Sequence, residues 1–471
     1  MMLQKIQQHA AQHPHKTAYR INNEQLTYQE LWTQANASAE LLKRQGNTPV
    51  ILYGHKEPQM VIGMIACLLA HRTYVPVDCP TPLLRLQKIA ALTGASLIIS
   101  EETVDVGQAE CCSLTNLQRY ADAEACDCTS ETAYMIFTSG STGEPKGVPI
   151  SRSNLRHFAD WICSLPPLCS YHDAVVMNQA SFSFDLSVAD LYYALCSGHT
   201  LVVCDHAAQA DYDRVFTLMQ SEQITVTVTT PTFYKLCLTN HEFCAEHFPH
   251  LQCAYFCGEC LENKTAKKLL ERFPNLKIIN AYGPTEATSA VSAIVIDKKT
   301  VDEEELLPVG DASDFATEIS IREGEIVLKG ESVFHGYLDG KAGGYFTEGG
   351  VDCYRTGDLG FLKDGKLYCK GRSDSQVKFK GYRIELSDIE QNILRLDGVR
   401  DCVVTAKRND RQIVKTIQAF VLAEHPSLNA ESIRGELAKT LPHYMIPKTI
   451  QILEEFPVNS NGKTDRKALG A

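Results

Sequence analysis

Hydroxyl groups, glycines and one lysine are concentrated in the segment TSGSTGEPKG, Thr138–Gly147. Such a segment could bind phosphate, because glycines let backbone N–H groups approach an anion closely and Lys146 adds a positive charge. It departs from the phosphate loop of common nucleoside triphosphatases, since Pro145 and Gly147 stand where that loop has Gly and Ser or Thr. Taken alone, the segment fits either a phosphate site or a polar surface turn.

The eighteen cysteines could indicate a metal site or redox chemistry. Cys126 and Cys128 form one pair, and Cys257 and Cys260 form a CxxC motif. A structural zinc site needs about four ligands, and no second pair stands at a matching distance. We therefore expect most cysteines to be reduced and to serve as small core residues.

The composition limits the class of protein. The chain has 471 residues, is 44% hydrophobic and carries a net charge of −12, which disfavours a broad nucleic-acid interface. The N-terminus lacks the pattern of a signal peptide, and the apolar run Val61–Ala70 is too short to span a bilayer. We expect a cytoplasmic protein without membrane insertion, in which this run forms a buried helix.

The elements that position these residues follow a strand–helix alternation between about residues 174 and 300. Such alternation predicts parallel sheets with ligands at the carboxyl ends of the strands. Short strands joined by Gly turns follow residue 320, and an α+β unit with the order β, α, β, β, α, β follows residue 374. Ser387 and Glu390 have the spacing of a capping box that opens its first helix. The predicted strands of the alternating region are VVM (175–177), TLVV (200–203), ITVTVTT (224–230), CAYF (253–256) and KIINAY (277–282).

The predicted fold class is therefore a large α/β N-terminal domain with a small α+β C-terminal domain. The large domain, residues 1–373, would have parallel and mixed sheets with helices and a small β subdomain. The small domain would comprise residues 374–471. The boundary is placed at the polar, Gly-marked segment 371–374.

Eleven segments in a fixed order indicate a family. With them, the chain resembles the adenylate-forming superfamily, and within it the amino-acid adenylation domains. The segments are LTYQEL (26–31), TYVPVD (73–78), TSGSTGEPKG (138–147), FDLS (184–187), NAYGPTE (280–286), GEIVLKG (324–330), HGYL (335–338), YRTGDL (354–359), GRSDSQVKFKGYRIEL (371–386), LPHYMIP (441–447) and NGKTDR (461–466).

The resemblance implies a two-step reaction with ATP and Mg²⁺ as cofactors. A carboxylate would attack the α-phosphate of ATP, and a thiol would then displace AMP. Glu286 would hold Mg²⁺, Thr285 would add a hydroxyl near the phosphates, and Lys463 would bridge the carboxylate and the α-phosphate. The phosphates would be bound by Thr138, Ser139, Gly140, Ser141, Thr142, Gly143 and Lys146.

The resemblance also assigns the nucleoside and the movement between steps. Tyr282 would face adenine, Asn280 would contact its exocyclic amine, and Asp358 with Arg372 would bind the ribose. Asp374 matches the hinge about which the small domain turns, after which the segment around Gly381 would replace Lys463 beside a tunnel for the thiol. The backbone of the nucleotide site would further include Gly258, Ala281 and Gly283.

Asp185 indicates that the substrate is an amino acid, because a carboxylate in the acyl pocket would pair with an ammonium group and repel a fatty acid. The resemblance marks such an Asp as typical of enzymes for amino acids and disfavours an acyl-CoA synthetase. A helix N-cap is the structural alternative for Asp185.

The remaining pocket residues favour a small substrate. Cys257, where many relatives have Gly or Ala, would restrict the substrate's side chain; the alternative is that it only fills space in the core. Ser289 stands where an aliphatic residue is expected. Ala281 and Ala290 would complete the pocket. The segment around Asp185 resembles the branch of the family that loads D-alanine for teichoic-acid synthesis; an enzyme for L-Ala, Gly or Ser in nonribosomal peptide synthesis is the alternative.

The thiol is expected on a partner. The chain ends at NGKTDRKALGA without a serine-bearing carrier domain. The resemblance therefore implies a phosphopantetheinylated carrier protein acting in trans, docked transiently through basic residues of the small domain.

Overall fold

The structure is a computed structural model. It describes residues 2–107, 109–140, 143–372, 376–409, 414–424, 428–457 and 468–469. Ser141, Thr142, Asp374 and Lys463, which the sequence analysis singles out, lie outside the described residues.

The helices of the described residues are named here in chain order. They are α1 (Met2–Gln12), α2 (Tyr28–Gln45), α3 (Pro58–Leu69), α4 (Leu83–Thr93), α5 (Arg152–Ser164), α6 (Leu186–Ser197), α7 (His206–Gln209), α8 (Tyr212–Ser221), α9 (Pro231–Cys237), α10 (Asn263–Arg272), α11 (Lys298–Glu303), α12 (Leu386–Leu394) and α13 (Ala430–Leu437).

The strands are named in the same way. They are β1 (Thr17–Ile21), β2 (Glu24–Thr27), β3 (Val50–Gly54), β4 (Tyr74–Asp78), β5 (Leu97–Ile99), β6 (Glu110–Cys112), β7 (Thr132–Thr138), β8 (Lys146–Ser151), β9 (Val175–Asn178), β10 (Thr200–Val203), β11 (Val226–Thr229), β12 (Cys253–Phe256), β13 (Lys277–Tyr282), β14 (Ser292–Ile296), β15 (Gly310–Asp311), β16 (Glu318–Arg322), β17 (Glu325–Lys329), β18 (Tyr345–Glu348), β19 (Val351–Lys363), β20 (Lys366–Arg372), β21 (Gln376–Phe379), β22 (Tyr382–Glu385), β23 (Val399–Arg408), β24 (Val414–Ala423) and β25 (Thr449–Leu453).

Two mixed sheets form the centre of the large domain, by which we mean residues 2–372. One has the order β6-β5-β3-β4-β7-β8, and the other β14-β13-β12-β11-β9-β10-β1-β2. Strands β9 to β13 pair in parallel, and β14 closes its edge in antiparallel register. Strand β11, VTVT, is buried along its whole length, which explains its β-branched sequence. The predicted α/β fold class is confirmed.

The predicted helix at Val61–Ala70 is also confirmed as α3, which lies in the protein core. It packs on α2 and is buried around most of its circumference, as its apolar sequence requires. Among the residues that the structure describes, no helix combines the length and the apolar character that crossing a membrane requires.

A third, antiparallel sheet of order β15-β20-β19-β17-β16, with β18 on β19, forms the predicted β subdomain. It ends at β20, whose last residue is Arg372. The predicted boundary beside it, at residues 373 and 374, stays a prediction.

The small domain, by which we mean residues 376–457, has a hydrophobic core of its own, built around Val377, Ile389 and Val421. Its first predicted strand is a two-stranded hairpin, β21–β22, with Lys380 and Gly381 at positive φ in the turn. A three-stranded sheet, β23-β24-β25, and helices α12 and α13 follow.

The predicted capping box at Ser387 and Glu390 is wrong. Helix α12 begins at Leu386 and has Glu385 as its N-cap, so Ser387 lies inside the helix. Glu390 instead accepts a hydrogen bond from the backbone N–H of Val404, 2.7 Å away. Tertiary contact with β23 therefore outweighs the local signal, which identified the helix but not its first turn.

Candidate active site

The parallel strands bring the candidate residues to one edge of the eight-stranded sheet. Strands β9, β11, β12 and β13 all end there. The chain continues from them into Asp185, Thr230, Cys257 and Thr285 respectively, after zero to six intervening residues. The sequence therefore positions a cluster of side chains from distant segments by strand direction alone.

Two glycines between β7 and β8, Gly140 and Gly143, are required by the local backbone. A Cβ on Gly140 would lie 2.4 Å from the carbonyl oxygen of Glu144, which no other residue tolerates. Gly143 has φ +78°, in the left-handed region. Its N–H donates to the Gly140 carbonyl at 3.1 Å. The backbone therefore requires glycine at these two positions, whichever ligand the predicted phosphate segment binds.

Lys146, at the start of β8, points to an aromatic ring. Its Nζ lies 3.5 Å from the ring centroid of Tyr337, a cation–π contact. Burial lowers the pKa of the ammonium, opposed by the charge of Glu286. Lys146 is therefore held within the same group of residues as the predicted metal ligand.

Glu286 is almost fully buried and belongs to a short 3₁₀ turn after β13. The hydroxyl of Tyr337 donates to its Oε1 at 2.6 Å, and the guanidinium of Arg383 donates to its Oε2. Burial raises the pKa of the carboxyl, but the Arg383 charge and the Tyr337 hydrogen bond outweigh it and lower the pKa to about 2. Glu286 is therefore an anion at neutral pH, which suits a hard divalent cation.

Asp185 and Thr285 are brought together although they stand 100 residues apart. The Thr285 hydroxyl donates to Asp185 Oδ2 at 2.6 Å, and both side chains are buried. Burial raises the pKa of the Asp185 carboxyl to about 6, against the lowering effect of this hydrogen bond. Asp185 occupies the N-cap position of α6 but makes no capping hydrogen bond, so the structural alternative does not account for its side chain.

The predicted side-chain pocket is a cluster of small buried residues. Cys257 Sγ lies 3.9 Å from the carbonyl oxygen of Ser289, and the Ser289 hydroxyl is buried with no hydrogen-bond partner among the described residues. A Cβ on Gly283 would lie 2.4 Å from Cα of Ala290. Burial raises the pKa of the Cys257 thiol to about 11, so it is a neutral side chain at physiological pH. None of the eighteen cysteines forms a disulfide bond.

The predicted nucleoside residues form a second cluster, on β13, β19 and β20. The Tyr282 hydroxyl donates to Asp358 Oδ2 at 2.7 Å, and Arg372 donates to Asp358 Oδ1 at 2.8 Å. Asn280 donates its amide N–H to the Pro308 carbonyl at 2.7 Å, which leaves Oδ1 buried without a partner among the described residues. A buried acceptor of this kind suits an exocyclic amine.

The hairpin β21–β22 of the small domain closes the cluster from outside. Gly381 donates its N–H to Glu259 Oε1 at 2.7 Å, and a Cβ on Gly258 would lie 3.9 Å from the Gly381 carbonyl oxygen. The role that the family resemblance implies for the segment around Gly381, beside the site in the second half-reaction, stays a prediction. The roles of Asp374 and Lys463 stay predictions.

Sequence reasoning missed three residues that the structure places at this site. They are Arg383 and Tyr337, which bind Glu286, and Glu259, which binds Gly381. Arg383 and Tyr337 stand inside segments that the resemblance had already marked, GYRIEL and HGYL, and Glu259 lies two residues after the predicted pocket residue Cys257. Their position in those segments was the available signal, but their contacts come from other elements of the fold.

The fold and the family models below define an AMP-binding enzyme. The family model described as AMP-binding enzyme matches residues 6–338, and the one described as AMP-binding enzyme C-terminal domain matches residues 388–463. The chain belongs to the AMP-binding enzyme family, which confirms the resemblance found in the sequence.

Similar proteins and solved structures match this chain over its full length. The D-alanine–D-alanyl carrier protein ligase of Listeria monocytogenes serotype 4b is 37% identical, over 100% of this chain and 98% of the relative. The ligase of that name from Bacillus velezensis is 36% identical, over 100% and 99%. The Vibrio cholerae adenylation domain AlmE, solved in complex with glycyl-adenosine-5'-phosphate, has a TM-score of 0.85 at 24% identity and covers 100% of this chain and 97% of its own. It supports the fold.

Proposed function

We propose that this protein activates D-alanine with ATP and transfers it to the phosphopantetheine thiol of a carrier protein. The observation that carries the proposal is the buried Asp185 carboxylate, hydrogen-bonded to Thr285 and unused as a helix cap. It occurs in a chain that D-alanine–D-alanyl carrier protein ligases match from end to end. A buried carboxylate requires a cationic partner, and the ammonium group of an amino acid supplies one.

In the first half-reaction, an oxygen of the amino-acid carboxylate attacks the α-phosphorus of ATP. The bond from that phosphorus to the bridging oxygen breaks, and pyrophosphate leaves with its electron pair. Asp185 binds the ammonium group, Asp358 with Arg372 binds the ribose, and Lys146 with the 138–147 turn binds the β- and γ-phosphates. Two anions must meet, so this chain contributes chiefly alignment and positive charge, the latter including Lys463.

Mg²⁺ fits the Glu286 carboxylate, whose lowered pKa keeps it ionised. When bound there, Mg²⁺ would supply positive charge to the phosphates. Thr285, beside Glu286 in the chain, donates a hydrogen bond to Asp185 and so orients the carboxylate that binds the ammonium group.

In the second half-reaction, the thiol sulfur attacks the carbonyl carbon, the bond to the AMP oxygen breaks, and the thiol proton passes to water. A cavity between the domains gives the thiol a route. Its walls include Arg85 and Phe184 of the large domain and Tyr382 and Tyr444 of the small domain, and it extends to Thr285. The reaction would take place in the cytoplasm, where ATP is available.

The small domain offers a surface for the carrier. A groove beside the cavity is lined by the cationic residues Lys380, Lys415, Arg434 and Lys448. Carrier proteins of this reaction are expected to be acidic, so complementary charge would speed their encounter. Lys415→Glu should raise the KM for the carrier and weaken its dependence on salt, whereas Lys299→Glu, on exposed α11, should change neither. Equal effects of the two variants would contradict this docking site.

The test of the amino acid is ATP–pyrophosphate exchange with D-Ala, L-Ala, Gly, D-Ser and L-Ser side by side. We expect D-Ala to exceed each competitor at least about tenfold in kcat/KM, the scale on which a pocket discriminates one small group. Preference for L-Ala, Gly or Ser would overturn the choice of substrate and favour a peptide-synthesis enzyme. Absence of exchange with any amino acid would overturn the reaction itself.

A further inference from the structure

Ser289 has a buried hydroxyl that the mechanism above does not use. The residue is 3% exposed, and its Oγ has no hydrogen-bond partner within the part of the chain that the structure describes. A hydroxyl held away from water without a partner costs free energy, so such groups are rare in folded proteins. The adjacent Thr288 shows the usual case, because its hydroxyl donates to the Ser332 carbonyl at 3.0 Å. The Ser289 hydroxyl is therefore available to a bound molecule.

The backbone at Ser289 is also unusual for a residue with a side chain. Thr288 has φ +61° and Ser289 has φ +73°, both in the left-handed region, where a non-glycine residue is strained. The segment has no room to relax, because a Cβ on Gly283 would lie 2.8 Å from the Ser289 carbonyl oxygen. Strain of this kind is concentrated at ligand-binding sites. Here it holds a serine at a position where the backbone itself favours glycine.

Ser289 lies beside the residues that would surround the substrate's side chain. Its carbonyl oxygen is 3.9 Å from Cys257 Sγ. Burial raises the pKa of the Cys257 thiol, and the charge of Asp185 adds to this effect, so the thiol and the carboxylate are near each other. An amino acid whose ammonium group is bound by Asp185 would then direct its side chain toward Cys257 and Ser289. The first polar atom that such a side chain can offer is a hydroxyl on its β-carbon.

We propose that the Ser289 hydroxyl forms a hydrogen bond with the side-chain hydroxyl of D-serine, so that the enzyme activates D-serine as a second substrate. The inference rests on the proposed function, in which D-alanine is the main substrate, and it makes Ser289 a residue that determines specificity. An oxygen of the D-serine carboxylate attacks the α-phosphorus of ATP and pyrophosphate leaves, as with D-alanine. Each hydroxyl can donate to the other, so the pair satisfies both groups. D-alanine stays the better substrate, because the Cys257 thiol narrows the pocket.

The test compares two acids of nearly equal size that differ in one group. D-2-aminobutyrate has a methyl group where D-serine has its hydroxyl, so both fill the same space. In ATP–pyrophosphate exchange with the full chain, the wild type should use D-serine with a kcat/KM at least about tenfold higher, the scale of one hydrogen bond to a group otherwise left unpaired. Ser289→Ala should abolish or reverse this preference, because it removes the hydroxyl and keeps the Cβ.

Two further variants separate recognition from damage to the fold. Ser289→Gly also removes the hydroxyl, and glycine adopts positive φ without strain, so this variant should fold and should lose the preference as well. Ser292→Ala is the matched control, because Ser292 is fully buried but its hydroxyl already donates to the Val309 carbonyl, at 2.9 Å. It should keep the ratio of the two kcat/KM values within about twofold of the wild type. Both acids are compared on one preparation, so the ratio does not depend on the folded fraction.

A wild type that does not prefer D-serine to D-2-aminobutyrate would overturn the role of Ser289. So would a preference that survives in both Ser289 variants, or an equal loss in Ser292→Ala. Exchange with D-alanine, measured on the same preparations, reports the proposed function separately. If only L-amino acids were active, the proposed hand of the substrate and the activation of D-serine would both fail.

Discussion

Replacing Asp185 by Asn should change how protein stability depends on pH, because burial of the Asp185 carboxyl disfavours its charged form. Burial raises its pKa in the folded protein from 3.8 to about 6. Asn has nearly the same shape and can still accept the Thr285 hydrogen bond, which is 2.6 Å long in the native protein. The comparison therefore isolates the charge.

The magnitude follows from the two pKa values. A difference of about 2 units corresponds to roughly 3 kcal/mol between the protonated and ionised forms, at about 1.4 kcal/mol per unit. Between the two pKa values the folded state binds more protons than the unfolded state, so this contribution to stability falls as pH rises. Roughly half of the loss is complete by pH 5, and about 1.4 kcal/mol remains to be lost between pH 5 and pH 7.5.

Urea denaturation without ligands, at half-unit intervals from pH 5 to pH 8, measures this effect. The stability of the wild-type protein relative to Asp185→Asn should fall with rising pH and level off above about pH 6.5. Asp122→Asn, at an exposed position, is the surface control and should show a flat difference. The KM for the amino acid should rise at least about thirtyfold in Asp185→Asn, the cost of removing one partner of a buried charge pair.

A stability difference that does not change with pH would refute the reasoning, because it would mean that burial does not raise the pKa of Asp185 in the folded protein. A pH-dependent difference accompanied by an unchanged KM would separate the two claims. In that case the burial would stand, and the role in binding the ammonium group would fail.

Three further variants test other parts of the site. Lys463→Ala should lower the rate of adenylate formation by about 100-fold or more with little change in ATP affinity, because a charge used only in the transition state affects kcat; a near-normal rate in single-turnover assays would contradict its role. Asp358→Asn should raise the KM for ATP about tenfold or more while the KM for the amino acid stays unchanged, since one of two charge-assisted partners of the ribose is lost. Cys257→Ala should reduce the ratio of D-Ala to L-Ala activity in pyrophosphate exchange, because the pocket gains room beside the α-carbon; an unchanged ratio would show that the thiol is filler.

The sequence predicted the architecture well because the signals were local. Strands such as β11 and β12 carry β-branched or aromatic runs, and the helices between them keep a helical period. The predicted capping box was wrong because it also rested on a local pattern. Glu390 instead accepts a hydrogen bond from the backbone N–H of Val404, a tertiary contact that no local pattern contains.

The sequence marked the residues of the candidate site but not the contacts between them. Asp185 and Thr285 were each marked by a segment, yet their hydrogen bond joins two strand ends that are distant in the chain. Arg383 went unassigned because its partner, Glu286, belongs to the other domain. Contacts across a domain boundary depend on the arrangement of the domains, which the sequence pattern does not specify.

The ion pair between Arg372 and Asp358, 2.8 Å long and nearly buried, ties down the last residue of β20. Residues 373, 374 and 375 separate it from Gln376, the first residue of β21. Four peptide steps reach at most about 14 Å when fully stretched. Whatever the position of the small domain, the first residue of β21 therefore stays within about 14 Å of the last residue of β20, so the Arg372–Asp358 ion pair limits how far the hairpin can move away.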